Sequence, residues 1–219
     1  MEFTKSLIKG KLIKRYKRFF TDVKVNKEIV TAHCPNTGSM MGLLGDKNEV
    51  FISKNDDPKR KLKYTLEIIK VKNNLVGVNT HLANKIVNHG LSNNLIKEID
   101  NSDNIKAEVF FNKKTRFDFL IEKNKQKIFV EVKNVTLFRD KKIAEFPDSV
   151  TTRGSKHLKT LITAIKMGYK SYLLFLVQIQ GVENFKIAKD IDKEYYENYL
   201  LAKKAGVIFL AYRCKINSK

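Results

Sequence analysis

Three ionisable residues, Asp118, Glu131 and Lys133, stand on two short runs of otherwise apolar character, Arg116-Phe117-Asp118-Phe119-Leu120-Ile121-Glu122 and Ile128-Phe129-Val130-Glu131-Val132-Lys133. Period-2 alternation of β-branched and aromatic residues on both sides of the lysine-rich turn 123–127 predicts a β-hairpin. Placing Glu122 across from Lys127 sets Phe117, Phe119 and Ile121 against Val132, Val130 and Ile128 on one apolar face, a match that a one-residue slip would destroy. The other face then carries Asp118 directly across from Glu131, with Lys133 opposite Arg116. Facing strand residues have Cβ atoms about 5 Å apart, so the two carboxylates repel unless positive charge lies between them. A divalent cation could supply that charge, and so could Arg116 and Lys133 themselves.

The chemistry open to this set is hydrolysis of a phosphodiester. That reaction needs a Lewis acid on the phosphoryl oxygens and a more acidic water, and carboxylates are hard oxygen ligands for Mg²⁺ or Mn²⁺. Asp118 and Glu131 are the candidate ligands, with the Val132 carbonyl beside them. Lys133, on the same face as Glu131, would orient or deprotonate the attacking water or offset charge on the phosphate. Glu-x-Lys by itself is common on strands, and a surface lattice of Arg116, Asp118, Glu131 and Lys133 would have the same sequence. The setting favours the site, because the chain is strongly basic.

Its 219 residues carry a formal net charge of +20, with 43 Lys and Arg against 23 Asp and Glu. Such a balance fits a polyanionic partner, most often nucleic acid. Only seven of the cations are arginines (15, 18, 60, 116, 139, 153 and 213), so binding should be phosphate-directed, salt-sensitive and tolerant of sequence. The apolar content of 42% suffices for a sizeable core, and no run reaches the length of a membrane span. The first residues lack the apolar stretch of a signal peptide, so a cytoplasmic protein is expected. Cys34 and Cys214 form no CxxC pattern and read as two reduced thiols.

The elements that must position these groups divide into an all-β part, residues 1–78, and an α/β part, residues 79–219. In the first, strands are expected at 10–25 (one long strand or a bulged pair), 28–34, 49–53 and 63–69, separated by turn residues. That spacing predicts a small closed barrel, OB-like in preference to SH3-like. Arg15, Tyr16, Lys17 and Arg18, with Lys61 further on, interleave cations with aromatics as single-strand-binding barrels do, although Tyr16 and Phe19 could equally be core residues. His33 beside Cys34 has no further ligands at metal spacing and reads as a packed histidine. A helix over 79–90 with Leu82, Ile86 and His89 on one face, a strand at 107–111, the hairpin, and a charged, mobile loop at 138–145 follow. Then come a helix begun by Ser149, Thr151 or Thr152 with the stripe Leu158, Leu161, Ile162 and Ile165, a buried strand at 171–177, a helix at 192–205 and a last strand at 207–212. Arg153, Lys156 and His157 share a helix face that can point at phosphates. A meander followed by strand-helix-strand-helix-strand is α/β (α+β) with a mixed sheet flanked by helices.

The chain resembles the sugar fermentation stimulation protein family along nearly its whole length. The stretches that carry the resemblance are residues 12–19, His33-Cys34-Pro35-Asn36-Thr37-Gly38-Ser39-Met40, Val78-Asn79-Thr80, Arg116-Phe117-Asp118-Phe119, residues 130–137 and Phe146-Pro147-Asp148-Ser149 through Leu158. The resemblance implies an N-terminal OB-like domain, a C-terminal domain similar to restriction-endonuclease-like PD-(D/E)xK nucleases, DNA binding without strong sequence preference, and a regulatory link to sugar metabolism. Asn36 and Thr37, within a resembling loop, and Arg116 join the expected nucleic-acid contacts. Phe117 stands where many such nucleases carry proline, and the helix 79–88 offers no carboxylate, leaving Glu98, Asp100 and Glu108 as stand-ins.

Overall fold

In the computed structural model residues 2–113, 115–140 and 142–218 are described. Strands β1 (Ile8–Tyr16), β2 (Phe20–Val25), β3 (Glu28–His33), β4 (Glu49–Lys54) and β5 (Tyr64–Val71) lie in the order β3-β2-β1-β4-β5. β3 then pairs in parallel with β5 through Ala32↔Tyr64 and His33↔Thr65, which closes an OB-like barrel. The 10–25 stretch is a bulged hairpin: the register slips between Leu12 and Lys14, and Lys17 and Arg18 take positive φ to reverse the chain. Leu12, Val23, Ala32, Val50, Ile52, Leu66 and Ile69 fill the interior. β6 (Asn74–Gly77), without a counterpart in the sequence reading, adds to β5.

A 3-10 turn, Thr80–Leu82, is capped by the Asn79 side chain, which accepts the His81 N–H, and leads into α1 (Ala83–Ser92). The buried stripe of α1 is Ala83, Val87, Gly90 and Leu91, one position on from the expected Leu82, Ile86 and His89, and the helix continues past Gly90. The 3-10 turn accounts for the offset, because it delays the start of α-helical geometry.

β7 (Asn104–Asn112), β8 (Thr115–Lys123) and β9 (Gln126–Val135) form the antiparallel meander. β10 (Leu137–Asp140) and β11 (Ile143–Phe146) follow, then α2 (Thr152–Lys166), β12 (Lys170–Val177), β13 (Asn184–Ile187), α3 (Lys193–Lys204) and β14 (Ile208–Arg213). The main sheet runs β14-β12-β9-β8-β7, with β12 parallel to both β9 and β14, and is therefore mixed as expected. Thr151 caps α2 by accepting the Gly154 N–H, and Asp192 caps α3 through the Tyr195 N–H. Gly154 brings α2 against α3: a Cβ there would meet the Tyr195 ring at 2.9 Å.

The hairpin register is the expected one over Glu122↔Lys127, Ile121↔Ile128 and Phe119↔Val130. Asn124 and Lys125 both take positive φ, so the loop is a two-residue primed turn between Lys123 and Gln126 without the usual glycine. The expected Phe117–Val132 pair is absent. Phe117 packs instead with Phe111 and Phe129, in a different cluster from Phe119 and Ile121. The ladder breaks at Asp118, so strict alternation fails there.

The segment 138–145 is also corrected: it is the β10–β11 hairpin, extended by β13, and not a loop. Arg139 bridges it across a register shift between Leu137 and Asp140. Its guanidinium donates from Nε to Glu145 Oε2 and from Nη2 to Glu145 Oε1, both at 2.7 Å, and also meets Asp190. A charge-rich stretch thus holds its own strands together.

The barrel and the α/β part share one core cluster, from Leu12 and Val23 to Leu158 and Phe175. Backbone bonds join Gly77 N to Gln178 O at 2.9 Å and Gln180 N to Leu75 O at 2.9 Å. The loop after β3 reaches the loop before α2, where Ser39 Oγ donates to Asp148 O at 2.6 Å and Met40 N to Asp148 Oδ2 at 3.2 Å. Among the described residues no helix is long and apolar enough to cross a membrane.

Candidate active site

Asp118 sits where the β8–β9 ladder ends, and its carboxylate continues the pairing that the backbone abandons. Oδ2 accepts the Val132 N–H at 2.7 Å, and Oδ1 accepts Asn84 Nδ2 from α1 at 2.7 Å. On β7 the ladder likewise skips Glu108, which has φ +57° and lies 3.3 Å from the Asn84 amide. The break is local to the carboxylates.

Glu131 lies on β9 with its side chain 4% exposed. Its Oε1 accepts Lys133 Nζ at 2.6 Å and meets His157 Nδ1 of α2, while Oε2 is buried without a hydrogen-bond partner. Arg153 Nε approaches His157 Nε2 at 3.5 Å, while the ring's Nδ1 is the atom that meets Glu131. Burial acts to raise the Glu131 pKa, but Lys133 and His157 outweigh it and hold the carboxyl below the usual range. Asp118 goes the other way: burial and then the Glu131 charge raise it, against the hydrogen bonds from Val132 and Asn84. Glu131 is thus compensated by Lys133, whereas Asp118 is held by hydrogen bonds from Val132 and Asn84.

A cleft of about 1090 Å³ opens above Asp118. Arg153, Lys156 and His157 line it from α2, Lys85 and His81 from the start of α1, and Arg116 and Lys113 from the β7–β8 end. Arg116 does not face Lys133 but pairs with Glu108, Nε to Oε2 at 2.7 Å. Of the stand-in carboxylates only Glu108 reaches the cleft. Glu98 accepts the Tyr212 hydroxyl at 2.5 Å and Asp100 pairs with Lys123 at 2.8 Å. Among the described residues no three His, Cys, Asp or Glu side chains group as metal ligands, so an ion here would complete its shell from backbone, water or substrate.

On the barrel, Lys17, Arg18 and Lys61 are exposed, and so is Phe19, at 47%. Tyr16 is half-buried, stacked on Phe20 with its ring centroid at 5.4 Å. Arg15 is occupied by main-chain carbonyls, donating to Arg18 O at 3.0 Å and Asn36 O at 2.7 Å. Asn36 is 4% exposed and spends its side-chain oxygen on the Gly38 N–H at 2.8 Å. It shapes the loop from inside, whereas its neighbour Thr37 faces solvent. The loop also accepts Thr80 Oγ1 at Pro35 O, 2.9 Å, and the His33 and His81 rings lie 6.2 Å apart. Burial, then His81 and Arg60, lower the His33 pKa, which fits the packed histidine read from sequence. The barrel thus borders the cleft through Pro35 and His33, which contact Thr80 and His81.

The sequence reading passed over Asn84, Lys85 and Phe110, all at the cleft. Asn84 and Lys85 lie off the buried stripe of α1, which marks them as polar-face residues without pointing to Asp118.

Comparison with known proteins accords with the two-part fold. Residues 13–78 match the SfsA N-terminal OB domain and residues 81–219 the Sugar fermentation stimulation protein RE domain. The chain belongs to the sugar fermentation stimulation protein family. A sugar fermentation stimulation protein homolog of Pelagibacter ubique is 84% identical over 100% of this chain and 94% of its own length. The homolog of Pseudoalteromonas atlantica is 44% identical over 100% and 95%. The solved structure of Pyrococcus furiosus SfsA in complex with Ca²⁺ aligns with a TM-score of 0.88 at 27% identity, covering 97% of this chain and 90% of that one. The stretches by which the family was recognised are those that meet in space, because the 33–40 loop, Thr80 and the loop before α2 touch one another.

Proposed function

We propose that this protein binds DNA without strong sequence preference and hydrolyses its phosphodiester bonds with Mg²⁺ or Mn²⁺ at Asp118 and Glu131. The observation that carries the reading is Asp118 lining a basic cleft beside the buried Glu131, whose Oε2 is unpartnered and whose charge, after burial, raises the Asp118 pKa. A divalent ion fits that deficit, since Mg²⁺ is commonly held by one or two carboxylates with water and phosphate oxygens completing its shell. The Val132 carbonyl is the backbone ligand expected beside them. The Ca²⁺ of the Pyrococcus furiosus relative, another hard cation with oxygen ligands, supports the same reading.

When bound, such an ion supplies a Lewis acid for the phosphoryl oxygens and makes water more acidic. The protein's residues do the rest. The Val132 N–H and Asn84 hold Asp118 in place, and His157 holds Glu131. Lys133 orients the attacking water and offsets charge gathering on the phosphate. Arg116, Arg153 and Lys156, with Lys17, Arg18 and Lys61 on the barrel, contact the DNA backbone.

The test is incubation of single- and double-stranded DNA with Mg²⁺, Mn²⁺ or EDTA, beside Asp118→Asn and Lys133→Ala variants. Metal-dependent cleavage lost in both variants is expected. Affinity should fall steeply with salt, and a flat salt response would rule out the phosphate-contact mode. The second reading is a non-catalytic DNA-binding regulator of sugar (maltose) metabolism that keeps the nuclease fold as scaffold. It is favoured by the two side chains, Lys133 and His157, already on Glu131 Oε1, and cleavage absent despite binding would support it against the nuclease reading.

A further inference from the structure

Phe110 is 69% exposed on β7, the edge strand of the main sheet. Other exposed apolar residues, such as Ile29, Val150 and Met167, are aliphatic and do not line this cleft; single exposures of that kind are ordinary. Phe110 lines it, together with Asp118 and the cations of α2. Its cross-strand partner is Arg116, whose guanidinium carbon lies 5.8 Å from the ring centroid and whose Nε is pinned by Glu108 at 2.7 Å. The ring therefore has a fixed neighbour, and most of its surface is open to the cleft.

An open aromatic beside cations that track a phosphate backbone is the arrangement by which proteins hold single strands, because every base has a face to stack. The bases of a duplex interior are already stacked and offer no face. We propose that Phe110 is a base-stacking platform and that the cleft takes single-stranded DNA, with an unpaired base lying on Phe110 close to the phosphate above Asp118. The inference rests on the DNA-binding reading above and narrows its substrate. Lys113 and Arg116 would flank the stacked nucleotide, and Arg153 and Lys156 would hold the backbone across the cleft.

The test uses the full chain in EDTA, so that binding is read without cleavage, with a fluorescent oligothymidylate, an abasic oligonucleotide of equal length and a blunt duplex. Phe110→Ala should weaken oligothymidylate binding by roughly 5- to 100-fold, the scale of one lost base–aromatic stack. Abasic and duplex binding should stay unchanged. The chain contains no tryptophan, so Phe110→Trp introduces a single reporter; it should retain affinity and lose fluorescence as oligothymidylate binds. Equal losses on all three probes, or unquenched fluorescence at saturation, overturn the platform. Tight DNA binding with unaltered Phe110→Ala affinity sinks this inference alone, whereas a parent protein that binds no DNA sinks the DNA-binding reading with it.

Discussion

The side-chain amide of Asn84 donates to Asp118 Oδ1 at 2.7 Å while lying 3.3 Å from Glu108, so α1 offers an amide where a further carboxylate would complete an acidic cluster. Asn84→Asp should therefore tighten Mn²⁺ binding, on the order of tenfold for one added charge at contact distance near a protein surface. Asn84→Ala removes a hydrogen bond that lowers the Asp118 pKa and should leave that carboxyl still easier to protonate. Calorimetric Mn²⁺ titration of the three proteins checks the first expectation, and carboxyl titration by NMR the second.

Lys133→Ala should cost stability as well as cleavage. Lys133 and Glu131 are 13% and 4% exposed at their side chains, and removing one partner of a buried pair typically costs about 3–5 kcal/mol. His157 remains on Glu131 and softens the loss, so about 2–3 kcal/mol is expected by urea unfolding at pH 7. A variant as stable as the parent would mean that Glu131 is satisfied without the lysine.

The Arg139 clasp predicts an acid-sensitive hairpin. Hydrogen bonds from Arg139 hold Glu145 below its ordinary 4.5 and lower Asp190 from 3.8 to about 2. Both groups bind protons less readily folded than unfolded, so their contribution is complete above about pH 4.5 and is lost as pH falls toward about 2. Arg139→Met should melt well below the parent at pH 7, and the gap should close in that acid window. A gap independent of pH would contradict the ionic account.

Asn36 and Lys61 should separate folding from binding. Asn36→Ala strips an internal cap from a buried loop, so a loss of about 1–2 kcal/mol is expected with DNA affinity intact. Lys61→Ala should leave the melting temperature unchanged, weaken DNA binding modestly and reduce the salt slope by about 1. Thermal melts and salt titrations of both variants decide the assignment.

Local pattern was enough for the barrel strands, the hairpin register and both crossover helices, because period-2 alternation, capping residues and glycines after helix ends act within a few residues. Position 118 is where that logic fails. Alternation puts Phe117 beside Phe119, yet the ladder stops at Asp118 because the carboxylate takes the Val132 N–H, and Phe117 joins Phe129 instead. The 138–145 segment read as a loop because it is charged, while the guanidinium that orders it finds Asp190 far along the chain.

The amino-acid sequence by itself determined the two-part organisation, the basic character and the family, since these rest on composition, periodicity and short contiguous motifs. It also singled out Asp118, Glu131 and Lys133, which themselves lie on one hairpin. Only the tertiary structure decided that His157 reaches Glu131, that Asn84 holds Asp118, that Asn36 is buried and that Phe110 opens into the cleft. Each of those facts depends on how α1, α2 and the barrel loop dock against the sheet, and docking is set by core packing summed over the whole chain, which no local pattern records.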